Sequence, residues 1–251
     1  MPTPTPGRVP LVLLPGILLP AATRYGRLLE ALGPDVLAVP KDLEIYGGAE
    51  VPPPGYGIAA EVEGIVRAAD AAGLDRFHLF GHSAGGACAL AFAAAYPDRV
   101  LTLAIDEPAT DFSPESLEDT RSSFLPFLDL PPDELLRTFA RRQVGRGVEL
   151  PPPPEPPLDW MAVRPAGIAA FVRAELEAEV DLDRLRDFDR PVLYSWGTLS
   201  HPSWEQMADR LAGWFPKITV ERFDGFHHLN AAHVAEPERV AASLRALWAS
   251  A

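Results

Sequence analysis

The chain has 251 residues, 47% of them hydrophobic, which is enough for one large α/β domain carrying an insertion. A formal net charge of −13 disfavours nucleic acid and anionic membrane surfaces as partners. The one cysteine, Cys88, can form no internal disulfide, and no apolar stretch approaches the roughly 18 residues of a membrane span. Met1-Pro2-Thr3-Pro4-Thr5-Pro6-Gly7 lacks the basic region and apolar run of a signal peptide, so a cytoplasmic location is expected.

Val9–Leu14 is a continuous apolar run ended by Pro15-Gly16, the pattern of a parallel strand covered on both faces. Helical spacing follows over Tyr25–Leu32, and Val36–Val39 reads as a second strand. Residues 40–57 form a Pro/Gly-rich loop. A helix over Ile58–Ala72 is closed by Gly73. Phe77–Phe80 is the third strand, Ala84–Tyr96 an Ala-rich helix stopped by Pro97, and Val100–Ile105 the fourth strand. The alternation then breaks. Helical pieces are predicted at Pro114–Leu128, Pro132–Val144 and Ala166–Phe188, with a stiff proline-rich connector at 151–157. Phe112, Phe124, Phe127, Phe139, Trp160 and Phe171 are expected to give this insert its own small core. Alternation resumes with strand Val192–Trp196, helix Trp204–Trp214, strand Ile218–Phe223 and a final helix over Pro237–Trp248.

Such alternation predicts a mostly parallel sheet with helices on both faces. The core spans 1–108 and 190–251, and a helical cap at 109–189 lies over the carboxyl ends of the strands, where ligands bind in such sheets.

The third strand feeds Gly81-His82-Ser83-Ala84-Gly85, a Gly-x-Ser-x-Gly turn between strand and helix. That context displays a serine Oγ above the sheet on a strained backbone. The N–H of Ala84, at the helix start, can face a developing oxyanion. The loop after the first strand should supply a second donor, assigned to the N–H of Ile17.

A serine needs a base, commonly a histidine oriented by a carboxylate. After Ser83, histidines occur at 201, 227, 228 and 233. His227-His228 follow the last strand, where the base belongs, and His227 is preferred over His228. His82 is read as a site-wall residue, His78 as a satisfied core histidine, and His201 and His233 as loop surface. The loop Gly197-Thr198-Leu199-Ser200-His201-Pro202 after the fifth strand, the usual place of the acid, holds no Asp or Glu. Asp106 and Glu107 end the neighbouring fourth strand. Adjacent residues there point to opposite sides, so one of them can face the base. Glu107, with the longer side chain, is chosen.

The chain resembles α/β-hydrolase fold enzymes through Gly81-His82-Ser83-Ala84-Gly85-Gly86, Pro15-Gly16-Ile17 and Tyr96-Pro97-Asp98-Arg99-Val100. It opens at the strand that comes third in that family, which implies a six-stranded sheet. Asp106-Glu107-Pro108-Ala109 and Gly225-Phe226-His227 are similar to the segments that carry the acid and the base in fungal zearalenone lactonases. That resemblance implies a Ser83–His227–Glu107 triad with Ile17 and Ala84 as oxyanion donors.

The expected function is a serine hydrolase of carboxylic esters or lactones working through an acyl-enzyme. The substrate is a partly hydrophobic small molecule, with Trp160 and Phe127 as guesses for its walls. No cofactor or metal is expected: adjacent histidines lack helical ligand spacing, and no Gly-x-Gly-x-x-Gly follows the first strand. No nucleic-acid or membrane partner is expected, and a homodimer is left open. The alternative is a non-hydrolytic protein on the same scaffold, a biosynthetic lyase or cyclase, or a ligand-binding module.

Overall fold

A computed structural model describes residues 7–150, 152 and 159–251. The proline-rich connector expected at 151–157 therefore lies outside the described residues, Pro152 excepted. The first half runs β1 (Val9–Leu14), α1 (Ala21–Leu32), β2 (Val36–Pro40), α2 (Ile58–Ala71), β3 (Phe77–His82), α3 (Ala84–Ala95) and β4 (Val100–Asp106). Four helices come next: α4 (Pro114–Ser123), α5 (Pro132–Arg142), α6 (Arg164–Leu176) and α7 (Leu182–Arg186). The chain ends with β5 (Val192–Gly197), α8 (Ser203–Ala212), β6 (Ile218–Phe223), a short α9 (Ala232–Ala235) and α10 (Pro237–Trp248). The six strands form one sheet in the order β2-β1-β3-β4-β5-β6. Every neighbouring pair is parallel.

The two-residue period of the strands sorts their side chains onto two faces. Leu11, Leu13, Phe80, Ala104 and Leu193 pack with Tyr25 and Leu28 of α1 and Leu244 of α10. Val12, Leu14, Leu79, Leu103 and Tyr194 point the other way, onto α2, α3 and α8. Since helices cover both faces, the strands read as unbroken apolar runs rather than alternating ones. Helix α3 is buried along nearly its whole length, Cys88 included. Its alanines and glycines let neighbouring elements approach on every side.

The insertion between β4 and β5 is helical, as expected, with different breaks. The helix expected over Pro114–Leu128 stops at Ser123, and a 3₁₀ turn over Leu125–Phe127 contains Pro126, which has no N–H to continue a helical ladder. The piece expected over Ala166–Phe188 divides into α6 and α7, and the Asp181 side chain caps α7 by accepting from the Arg184 N–H at 3.0 Å. The insert does not form a separate core. Phe112, Phe127, Phe139 and Phe171 are buried in the same apolar cluster as Val12 and Leu14 of the sheet. Among the described residues, no helix is long and apolar enough to cross a membrane.

Candidate active site

Ser83 sits between β3 and α3 with φ 55° and ψ −121°, a left-handed conformation that costs a non-glycine residue on the order of 1–3 kcal/mol. Its surroundings impose that conformation. The Ser83 N–H donates to the Asp106 carbonyl at 3.0 Å, and its own carbonyl accepts from the N–H groups of Ala87 and Ala109 at 3.1 and 3.0 Å. The turn is also too tight for side chains on either flank. A Cβ on Gly81 would lie 2.3 Å from the Gly85 carbonyl oxygen, and one on Gly85 would lie 2.4 Å from that of Leu14. The two glycines let β1, β3 and α3 meet there, which aims Oγ out beyond the strand ends.

The side chain that meets Ser83 is His228. Its Nε2 lies 2.9 Å from Ser83 Oγ, and its Nδ1 lies 2.8 Å from Glu107 Oε2. An ionised carboxylate only accepts, so Nδ1 carries the proton and Nε2 is left to accept the serine hydroxyl. The expectation of His227 is thereby corrected. His227 lies half-exposed with its Nδ1 accepting from the Asn230 N–H at 3.2 Å. The physical reason lies in the loop after β6. The Phe226 carbonyl is pinned by the Leu199 N–H at 2.8 Å, and Asn230 N–H closes a turn on the His227 carbonyl at 2.8 Å. Neighbouring residues of that pinned segment face opposite ways, and the second histidine receives the inward place.

Glu107 is 1% exposed and directly follows β4 with φ 46°. Its Oε1 accepts from the Gly197 N–H at 2.8 Å and from the Ser200 hydroxyl. The loop after β5, which holds no carboxylate, thus supplies hydrogen-bond donors to a carboxylate that arrives from β4. The His228 ring is held on both faces as well. It stacks on Trp204, with ring centroids 4.3 Å apart and planes 9° apart, and lies 4.6 Å from the His82 ring. Trp204 is anchored by its Nε1–H donating to the Pro108 carbonyl at 2.9 Å.

Behind His228 is a second buried network that the sequence reading missed. His233, expected on the surface, is 1% exposed, and Arg24 is 9% exposed. Asp106 Oδ2 lies 3.1 Å from His82 Nδ1 and 2.8 Å from His233 Nδ1. Arg24 donates through Nε to His233 Nε2 at 2.7 Å and through Nη2 to His82 Nε2 at 2.9 Å. Ser195 Oγ donates to Asp106 Oδ1 at 2.7 Å. Two neutral imidazoles therefore bridge a guanidinium and a carboxylate. Burial, and then the Arg24 charge, hold His82 well below the usual histidine range and push His233 down to about 4. Burial raises the Asp106 carboxyl, but hydrogen bonds from His233 and His82 outweigh it and hold Asp106 well below the usual carboxylate range. Ligand-type atoms of His82, Asp106 and His233 lie within 4.8 Å of one another, a donor set of the kind that suits zinc or iron. The Arg24 guanidinium already supplies the positive charge this carboxylate requires, and it would face any dication placed there.

Ile17 and Ala84 line the cleft beside Ser83. Among the described residues neither of their N–H groups has a protein acceptor. The Ile17 segment is fixed by its carbonyl, which accepts from Tyr46 Oη at 3.0 Å and Arg164 Nη1 at 3.4 Å. The cleft has an internal volume of about 160 Å³, comparable to a cavity that accommodates a benzene ring. Phe124, Phe139, Ile168 and Phe171 form its apolar walls. Trp160 and Phe127, guessed as walls but read more readily as core of the insert, do not line the cleft. Trp160 packs on the Arg164 guanidinium and Phe127 is in the core. His201, expected as loop surface, is half-buried on the rim, and His78 is buried on β3 with Nδ1 2.8 Å from Thr102 Oγ1.

Parallel sheets that present a serine on such a strained strand-to-helix turn form one class, the nucleophile-elbow α/β proteins. Within it, this chain belongs to the alpha/beta hydrolase fold family, whose sequence model matches residues 9–152, more than half of its length. Solved structures agree on the fold. The chain is similar to a thermophilic esterase from Thermogutta terrifontis, with a TM-score of 0.69 and 24% identity over 95% of this chain and 88% of that one. It is similar also to an esterase from Rhodococcus sp. ECU1013, with a TM-score of 0.68 and 23% identity over 97% of this chain and 91% of the other. An α/β hydrolase enzyme from a Medee basin deep-sea metagenome library gives a TM-score of 0.73 at 16% identity, covering 100% of this chain and 93% of that chain.

Proposed function

We propose that the protein is a serine hydrolase of small carboxylic esters, lactones included, with Ser83 as nucleophile, His228 as base and Glu107 as the orienting acid. One observation carries the reading: the unbroken hydrogen-bond chain from Ser83 Oγ through His228 to Glu107 at 2.9 and 2.8 Å. The esterases among its structural neighbours favour the same chemistry. Ser83 Oγ attacks the ester carbonyl as His228 Nε2 takes its proton. The oxyanion is received by the N–H groups of Ile17 and Ala84. Collapse of the adduct breaks the carbonyl–alkoxy bond, His228 returns the proton to the leaving oxygen, and an acyl-Ser83 remains. Water, deprotonated by His228, then releases the carboxylic acid. Glu107 stabilises the transient imidazolium, assisted by the Trp204 face. The helical insert acts as a cap that narrows the cleft. An acid directly after β4 resembles the placement in zearalenone lactonases, and on that resemblance cyclic esters stand beside open-chain ones as substrates.

A fluorophosphonate probe should label wild-type protein at Ser83. Ser83→Ala and His228→Ala should each lose at least about 10³-fold in kcat/KM on short-chain esters, while His227→Ala stays within about threefold of wild type. Absent labelling, or a loss on His227→Ala equal to that on His228→Ala, would overturn the assignment and favour a non-hydrolytic use of the fold.

A further inference from the structure

Helix α6 lays one stripe against the cleft that holds Ser83: Ile168, Phe171, Val172 and Glu175 all line it, at helical spacing. Three of the four suit an apolar wall. Glu175 does not, and it is 3% exposed. Among the described residues its Oε2 is buried with no hydrogen-bond partner. The two arginines on the cleft do not compensate it. Arg210 is committed to Asp111 at 2.8 Å, and Arg142 is exposed at the rim. Leaving a buried polar group unpartnered is destabilising. Such a group facing a ligand cleft is explained if the ligand brings the partner.

Resting on the hydrolase reading above, we propose that Glu175 is the recognition group of a substrate subsite, and that the ester taken carries a neutral hydroxyl on an otherwise small apolar body. The neutral class follows from the surroundings. Burial raises the Glu175 carboxyl to about 8, so at neutral pH it is mostly a carboxylic acid that can both donate to and accept from a hydroxyl. An ammonium would require an ionised carboxylate, and both ions would be desolvated between Ile168, Phe171 and Val172. The internal volume of the cleft, about 160 Å³, accommodates a small acyl or alkoxy group beside Ser83.

The test compares methyl pentanoate with its 3-, 4- and 5-hydroxy derivatives, and propyl butyrate with glycerol monobutyrate and 3-aminopropyl butyrate. It uses wild type, Glu175→Leu and Glu175→Gln. Wild type should favour at least one hydroxy ester over its parent by about tenfold or more in kcat/KM. Glu175→Leu should bring kcat/KM for the hydroxy ester down to that of its parent, and Glu175→Gln, still a hydrogen-bonding side chain, should retain most of the preference. Calorimetric binding of the same esters to the Ser83→Ala protein reads the subsite independently of turnover. If fluorophosphonate fails to label Ser83 but the hydroxy preference appears in binding, the hydrolase reading fails and the subsite stands. A wild type that prefers no hydroxy ester in turnover or binding, a preference that survives Glu175→Leu, or a larger preference for the amino ester would each overturn the proposal.

Discussion

Asp106 and Glu107 are chemically alike and adjacent, yet they serve different networks. Glu107 reaches His228 Nδ1, while Asp106 is bracketed by His82 and His233. Conservative amides separate the two. Glu107→Gln should lower kcat by about 10²–10⁴-fold with the melting temperature little changed, because Gln can misorient His228 without emptying a core. Asp106→Asn removes the counter-charge of buried Arg24, and breaking a buried pair in this way costs about 3–5 kcal/mol. Its signature is a fall in thermal stability larger than that of Glu107→Gln, measured by calorimetry. Any activity loss should follow from displacement of His82 and of the His228 carbonyl, which accepts from Arg24 Nη2 at 3.4 Å. The reverse pattern, with stability lost in Glu107→Gln and kinetics alone in Asp106→Asn, would exchange their roles.

At the scale of elements, the serine turn depends on close packing more than on bonding. β1, β3 and α3 converge where Gly81 and Gly85 carry no side chains, and the Gly85 N–H donates to the Pro15 carbonyl at 3.0 Å. Gly85→Ala should therefore destabilise by about 1–3 kcal/mol and depress activity, since the new methyl meets backbone at Leu14 and Pro15 rather than a side chain that could rotate away. Chemical denaturation against wild type checks this, and an unchanged midpoint would mean that the turn has slack. The same close approach brings the Ile17 loop next to Ser83. The insertion is tied to the body in the same manner. α6 contributes Ile168, Phe171 and Val172 both to the common apolar cluster and to the cleft wall, so substrate space and core share side chains.

For the molecule as a whole, the neutral imidazoles of His82 and His233 set a pH dependence. Both titrate lower in the fold than near 6.5, their unfolded value, mainly through burial and then through Arg24. The unfolded chain therefore binds more protons below that value, and stability is fully present above about pH 6.5 and lost as pH falls toward 4. The groups facing them are Arg24, Asp106 and His228. The melting temperature should fall between pH 6.5 and 5, before ordinary carboxylates titrate, and His233→Gln should flatten that slope. Glu175, raised to about 8, gains stability as pH falls through the same window and opposes this slope, while His78, pushed down to about 4, adds to it, so the deciding comparison is with His233→Gln: a slope that this variant leaves unchanged would show that the His233 ring is not held neutral.

The strand-helix alternation, the serine turn and the helical insertion were legible in the residues, because periodicity and glycine placement are local properties. For the acid, the residues offered the empty Gly197–Pro202 loop and the alternation of neighbours at a strand end, and the fold brings the Glu107 carboxylate to 2.8 Å from His228 Nδ1. The choice between His227 and His228 was not legible in the residues. It depended on how the Phe226 carbonyl and Asn230 pin a loop against β5, contacts between segments distant in sequence. Arg24, His82 and His233 come from three separate segments, and nothing local to any of them announces the shared carboxylate. The sequence alone determined that a serine is displayed at the carboxyl end of a strand in a parallel sheet. Only the tertiary structure decided which histidine meets it and which buried carboxyl, Glu175, is left waiting in the cleft, because those outcomes depend on how distant segments pack and exclude water.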